Sequence, residues 1–480
     1  MRLLLSNSKD TVHGVPGRQD KQFQFPRERA PHATSKRGGR CIRARANCVA
    51  SYAVAQVAGR RKSVRCTSGM RHSDKPRLRI AVIGTGISGL SAAWLLARRH
   101  DVTVYEKASR LGGHTHTVEV ETDRGPAPVD TGFIVFTTIN YPNLTALFQH
   151  LDVPTKASNM SFSVSLGDGA FEYGGNSLSS LFAQKTNLLR PHFWSMLAGI
   201  VRFYRRAPHD LHLLSASGMT LGDYLSRGKY GAAFARDHLL PMAGAIWSAP
   251  PRALLDYPAA AFIRFFDNHG LLKLHDRPGW RTVAGGSKTY VAKLAERLRG
   301  RIRLHCGAAA VERKPASVMV RDGQGQSNEY DHVVIGAHAD EALGILSDPS
   351  AEERELLGAF RYNRNLTILH CDERLMPRRK AVWSSWNYIG AKTDTGTALS
   401  VTYWLNRLQG IEGPKNYFVT LNPCREPRLD RVHWSGVYEH PVFDRRALRA
   451  QERLESLQGT RRTWFCGAYF GAGFHEDGLK

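Results

Sequence analysis

Near the C-terminal end, His475, Glu476 and Asp477 put three titratable side chains at consecutive positions. His475 or Glu476 could accept a proton as a general base. Asp477 also suits the cap of a helix. His114 and His116 form a second group, sharing one face of a predicted strand. Two imidazoles so placed could meet a metal, but no Cys/His/Asp companions stand nearby. The seven cysteines form no C-x-x-C pair, so no metal ligand is assigned. They read as reduced, mostly structural thiols. Trp383, Trp386, Tyr388, Tyr403 and Trp404 fall on strand-like runs and could wall an apolar pocket or simply fill a core.

These groups need a scaffold, and the stretch from Leu78 to Gly113 supplies the clearest one. Leu78 to Ile83 is a short apolar run, the pattern of a strand buried on both faces. It enters a G-x-G-x-x-G turn formed by Gly84, Thr85, Gly86, Ile87, Ser88 and Gly89. The glycines there serve a tight turn, close approach of backbone to a diphosphate, and close helix–strand packing. Ile87 to Arg99 has helical periodicity through Leu90, Ala93, Trp94 and Ala97. Its N-terminus would offer free N–H groups to an anion. A second strand, Asp101 to Tyr105, ends in Glu106, where a carboxylate can bond ribose hydroxyls. Strand, turn, helix, strand and acid in this order predict a site for FAD or NAD rather than NADP.

Glu106, Lys107, Arg110, Gly112 and Gly113 resemble the E-x(3)-R-x-G-G extension of the flavin-dependent amine oxidase and phytoene desaturase superfamily. That resemblance favours FAD as cofactor. It implies a two-domain α/β flavoprotein in which a Rossmann-like FAD-binding domain is interleaved with an α+β substrate domain. Within it, His114 is expected to contact the flavin or its cavity. The D-x-G segment after Val129 places Gly132, Phe133 and Ile134 beside the flavin ring. Ala308 to Val311, closed by Arg313, matches the stretch that touches the adenine. Thr463 to Gly467 and the run to Gly478 and Leu479 match the C-terminal motif, whose last helix faces the flavin. The chain stops at Lys480, where that helix is expected to begin. GGHTHTV, VWSSWNY, VTYWLNRLQGI and WFCGAYFGAGFHEDGL resemble, more narrowly, the FAD proteins found beside or fused to cyclopropane fatty acid synthases. The implied partner is a lipid methyltransferase of that kind.

At 480 residues the chain exceeds one ordinary core. The net charge of +25 is concentrated at one end: residues 1 to 75 carry seventeen Lys/Arg against four acids, about half the total. A basic tail on a mildly basic globule does not make a nucleic-acid footprint. The segment 1–76 is expected to be a disordered extension, either a plastid or mitochondrial transit peptide or sequence ahead of a start at Met70. In the first case the protein is organellar; otherwise it is cytoplasmic. The expected division is FAD-binding segments at 77–139, 276–345 and 459–480, and substrate segments at 140–275 and 346–458. His192 to Tyr204, flanked by Arg190, Arg202, Arg205 and Arg206, reads as a core helix or as one leaning on a membrane surface. Phe171 to Gly175 is expected to be a turn and Ala381 to Tyr388 a strand.

The function expected from this reading is FAD-dependent removal of hydride from a C–H of an apolar, lipid acyl-type substrate. The alternatives are an amine oxidase acting on a small amine, a non-redox flavoprotein such as an isomerase, and a FAD-binding partner subunit.

Overall fold

A computed structural model describes residues 76–480 except 215–216, 274–275 and 394–395. The expected N-terminal extension lies, but for Pro76, outside the described residues. Strand β1 (Arg79–Ile83) is buried from Ile80 onward, as its unbroken apolar run predicts. It is the centre of a five-stranded sheet ordered β10 (Ile302–Arg303), β2 (Asp101–Tyr105), β1, β14 (His332–Ile335), β20 (Thr463–Phe465). Every pairing in it is parallel, so strands from distant parts of the chain end on the same edge. Helix α1 (Ile87–Leu96) turns Ile87, Leu90, Ala93 and Trp94 inward against this sheet. It stops short of the predicted Arg99 because the last N–H groups close tighter turns, Arg98 onto Leu95 and Arg99 onto Leu96.

The second large sheet has seven strands, ordered β19 (Val432–Val442), β15 (Arg361–His370), β18 (Phe418–Leu421), β17 (Gly396–Trp404), β16 (Trp386–Thr393), β7 (Phe162–Leu166), β8 (Phe171–Gly174). It is antiparallel apart from the β7–β16 pair. Two sequence expectations are corrected here. Phe171 to Gly174 is a strand rather than a turn, because Phe171 and Tyr173 bury their rings with Phe193 and Met196. The strand expected from Ala381 begins only at Trp386. Ser384 and Ser385 before it form a buried corner, their N–H groups donating to Asn387 Oδ1 (2.8 Å) and Ser161 Oγ (2.9 Å).

Short sheets join these two. Strand β9 (Trp280–Val283) pairs with β5 (Phe136–Thr137) and β6 (Thr155–Ser158). Strands β3 (Thr117–Thr122) and β4 (Gly125–Asp130) form a ribbon, and β11 (Ala308–Arg313), β12 (Val318–Asp322) and β13 (Ser327–Tyr330) a meander. Asp130 fastens the ribbon to the start of α6 (Lys288–Glu296). Its buried carboxylate accepts from Ser287 N (2.9 Å), Ser287 Oγ (2.6 Å), Thr117 Oγ1 (2.6 Å) and Gln409 Nε2 (2.8 Å).

A helical layer completes the molecule: α2 (Pro142–His150), α3 (Pro191–Leu214), α4 (Leu240–Trp247) and α5 (Ala259–Asn268). Helix α3 buries Phe193, Met196, Phe203 and Tyr204 while Arg202, Arg205 and Arg206 stay exposed, the division expected of an amphipathic core helix. Phe262 and Phe266 stack at 4.4 Å in the same layer. Among the described residues no helix is long and apolar enough to cross a membrane.

Candidate functional site: a cavity at the ends of the parallel strands

β1, β2, β14 and β20 are followed directly by Gly84, Glu106, Gly336 and Cys466. A cavity of about 910 Å³ opens beyond them and runs to the seven-stranded sheet and the helical layer. A crevice outside the carboxyl ends of parallel strands is where such sheets hold their ligands. Its volume lies near the top of the range for ligand sites, roughly 300–1,000 Å³.

Backbone shapes the end next to the strands. Gly84 has φ +93° and its N–H donates to Tyr105 O (2.8 Å), tying the turn to β2. A Cβ on Gly89 would stand 2.1 Å from Gly84 O, so helix and turn can approach only with glycine there. Gly86 differs, since a Cβ on it would meet nothing within 4 Å. Gly86 is also the N-cap of α1 and supplies no side-chain cap, which leaves the first helical N–H groups for an incoming anion. Glu106 is buried and accepts from Thr85 N (2.9 Å), Thr85 Oγ1 and Ala108 N (2.8 Å). Its two oxygens offer about four lone-pair positions, so acceptor capacity remains for hydroxyl groups. His114 Nε2 is buried without a hydrogen-bond partner beside this turn. Burial, then the neighbouring His440 and His338, hold its pKa well below the usual imidazole value. An open glycine cradle, an uncapped helix start and a partly engaged carboxylate together fit the diphosphate and ribose of FAD.

The structure brings most of the sequence-predicted residues to this cavity: Gly84, Thr85, Gly86, Ile87, Ser88, Glu106, Lys107, Arg110, Gly112, Gly113, His114, Gly132, Phe133, Ile134, Ala308, Gly467 and His475 all line it. Lys107 is ion-paired with Glu341. Arg110 donates through Nη1 to the Leu111 and Thr115 carbonyls, each at 3.4 Å.

Several predicted residues lie elsewhere, each for a visible reason. Gly89 packs under the turn instead of facing the cavity. Val311 is fully buried in the core opposite Val320, beyond the bulge that shifts the register of β11 between Ala308 and Ala310. The terminal helix, expected to begin at Lys480, is already formed as α7 (His475–Leu479). In it Gly478 backs onto α1, where a Cβ would lie 2.8 Å from Ser88 Oγ, and Leu479 packs with the cluster around Leu90. Glu476 is corrected from candidate base to helix cap. Its carboxylate accepts from Asn143 N (2.9 Å), Asn143 Nδ2 (2.7 Å) and Leu144 N (3.0 Å) at the start of α2. Asp477 caps its own helix, accepting from Phe474 N at 3.0 Å. His116 turns to Trp434 and Tyr438 outside the cavity wall. Of the five strand aromatics, only Trp386 and Tyr403 line the cavity; Trp383 and Trp404 pack on Phe418, and Tyr388 packs on Phe193 and Met196.

His475 reaches the cavity, but its ring is held. It stacks on Phe133 at 3.8 Å, and Nε2 lies 2.8 Å from Tyr290 Oη and 3.0 Å from Thr115 Oγ1. Burial pushes its pKa down to about 3. A group the sequence did not single out is better placed for proton transfer. His269, on the cavity wall after α5, donates from Nδ1 to Phe265 O (2.9 Å). A carbonyl can only accept, so in the neutral ring Nε2 carries the lone pair. Burial lowers its pKa, keeping the ring neutral. Nothing local in the sequence marks His269, since only the fold of α4 and α5 over the strand ends brings it to the wall.

Fold and site together define a two-domain flavoprotein, and comparison with known proteins agrees. The family model described as flavin containing amine oxidoreductase matches residues 87–380, more than half of the chain. The chain belongs to that family, with FAD as cofactor. AofH of Mycobacterium tuberculosis (strain ATCC 25618 / H37Rv), named as a flavin-containing monoamine oxidase, is 26% identical over 279 residues, 56% of this chain and 59% of that protein. The match thus spans little more than half of that relative. Hydroxyneurosporene desaturase of Rubrivivax gelatinosus is 48% identical over 60 residues, 12% of this chain and 11% of its own. Among solved structures, the CLA-producing fatty acid isomerase from P. acnes aligns with TM-score 0.60 at 16% identity, covering 84% of this chain and 96% of its own. Cyclohexylamine oxidase from Brevibacterium oxydans IH-35A aligns with the same figures. At such identity the likeness is one of fold.

Proposed function

We propose that this chain oxidises an apolar, acyl-chain-bearing substrate by removing hydride from one of its C–H bonds. One observation carries the reading: the wall formed by the helices and the seven-stranded sheet is apolar, and among the described residues no carboxylate on the cavity is left for an ammonium group. That wall comprises Met242, Ile246, Trp247 and Phe265 from the helices and Trp386 and Tyr403 from the sheet. The acids that do line the cavity are engaged: Glu106 by Thr85 and Ala108, Glu341 by Lys107, and Glu439 by Arg364 at 3.5 Å. A cationic amine would lose its hydration there with no counter-charge in exchange.

FAD, when bound, supplies two-electron acceptor chemistry. The protein's own contribution is placement, dryness and proton handling. Phe133 and the buried ring of Trp247 exclude water from the walls. As hydride leaves one carbon, Nε2 of His269 can take a proton from the adjacent carbon, the two C–H bonds giving way to one C=C bond, and the Nδ1–H to Phe265 O fixes the tautomer. The resemblance to proteins encoded beside cyclopropane synthases supports a membrane-derived acyl chain as substrate and a lipid methyltransferase as partner.

Anaerobic mixing of the FAD-loaded protein with phospholipid or fatty acid, and separately with putrescine or cyclohexylamine, tests this. Bleaching of the flavin by lipid and not by amine is the expected result. Bleaching by amine alone overturns it, and lipid turnover without net bleaching converts the reading to an isomerase. His269→Asn should slow the lipid reaction about 100-fold while leaving FAD content unchanged.

A further inference from the structure

Outside the segment 106–114, the cavity wall carries a single Arg or Lys among the described residues, Arg277. It stands between α5 and β9, on the helical side with Phe265 and Leu271. Its Nε donates to Lys273 O at 2.8 Å, which anchors the inner part of the guanidinium. The two terminal nitrogens have no carboxylate partner among the described residues, and the side chain is exposed whereas Phe265 and Trp247 on the same wall are buried. Lys107 and Arg110, the other cations on the cavity, are engaged by Glu341 and by backbone carbonyls. The charge of Arg277 also reaches inward. After burial, it is the second influence holding His238 down at about 3. An unpaired planar cation at the exposed end of an apolar wall is built to receive an oxyanion, bidentately, while an alkyl chain lies against the wall.

We propose that Arg277 binds the anionic headgroup of the substrate, so that the cavity takes a single-chain amphiphile ending in a carboxylate or a phosphate. This rests on the acyl-chain reading above and names its polar end. Arg277 is a specificity-determining residue: it holds the far end of the ligand and takes no part in bond breaking.

Calorimetric titration of the FAD-loaded full chain with dodecanoate, dodecyl phosphate, methyl dodecanoate and dodecylamine tests the assignment, with flavin absorbance as a second readout. The anionic chains should bind at least tenfold more tightly than the ester and the amine. Whichever of the two anions binds more tightly identifies the headgroup as carboxylate or phosphate. In Arg277→Gln the ratio of anion to ester affinity should fall toward one, and in Arg277→Lys part of it should return. Because Arg277 is exposed, flavin content and melting temperature serve to show that both variants fold. Equal binding of anion and ester by the unaltered protein, or a preference that survives Arg277→Gln, overturns the role of Arg277 while leaving the acyl-chain reading standing. Tightest binding of dodecylamine, or no binding of any chain, overturns both.

Discussion

The two ends of the cavity are built on different principles. At the strand ends the surface is backbone: a glycine turn, a helix start and one carboxylate, drawn largely from residues 83–114. Across from it the surface is side chain, with rings and aliphatic groups contributed by α4, α5, β7, β16, β17 and β19. The first end must match a fixed diphosphate and ribose, and positions there are set by how closely backbones can approach. The second, on the reading proposed above, encloses a flexible apolar chain, for which volume matters more than any single contact. The backbone end should therefore be brittle and the side-chain end forgiving.

Gly89→Val is the severest way to break that contrast. Its Cβ would fall 2.1 Å from Gly84 O, and loss of about 3 kcal/mol or more is expected together with colourless protein. Denaturation midpoint and flavin-to-protein ratio measure it; a yellow, stable variant would refute the claim that backbone contact sets this end.

Acid comes next. His475 and His238 are held at about 3 and His440 at about 4, all chiefly by burial. With folded pKa values below the unfolded value near 6.5, the unfolded chain takes up protons first. The stability these rings contribute is complete above about pH 6.5 and is lost as pH falls toward 4, at about 1 kcal/mol per histidine per pH unit. Urea titrations at pH 7.5 and 5.5 check the sign.

Glu476→Ala probes the seam between the ends. Because this carboxylate caps α2, stability should drop by about 1–2 kcal/mol while flavin content is retained. A variant that is fully stable yet catalytically dead would restore Glu476 as a base. Smallest of all is Tyr403→Phe on the apolar wall. Its hydroxyl makes one long bond to Ala245 O (3.3 Å), so stability should move by no more than about 1 kcal/mol. A loss as large as that of Gly89→Val would erase the distinction between the two ends.

The glycine end was readable because its determinants are local. Turn, helix and terminal acid lie within about thirty residues, and Gly84 and Gly89 meet steric requirements that only glycine satisfies. Assignments that depended on which side of an element faces inward fared differently. Ala308 reached the cavity and Val311 did not, since a bulge after Ala308 shifts the register and Val311 continues into the core opposite Val320. His475 and Glu476, neighbours in sequence, diverge by one step of a helix, one to the cavity and one to the start of α2. Tyr403 and Trp404, also adjacent, divide in the same way across β17.

From the sequence alone came the dinucleotide fold, FAD as its cofactor, and the glycine turn, helix start and Glu106 that shape one end of the cavity, because short-range geometry and side-chain size dictate them. Only the tertiary structure decided which aromatics wall the cavity, that Glu476 is a cap, and that His269 and Arg277 line the same cavity. Those residues come from elements far apart in the chain, and what each one faces depends on packing that no local pattern encodes.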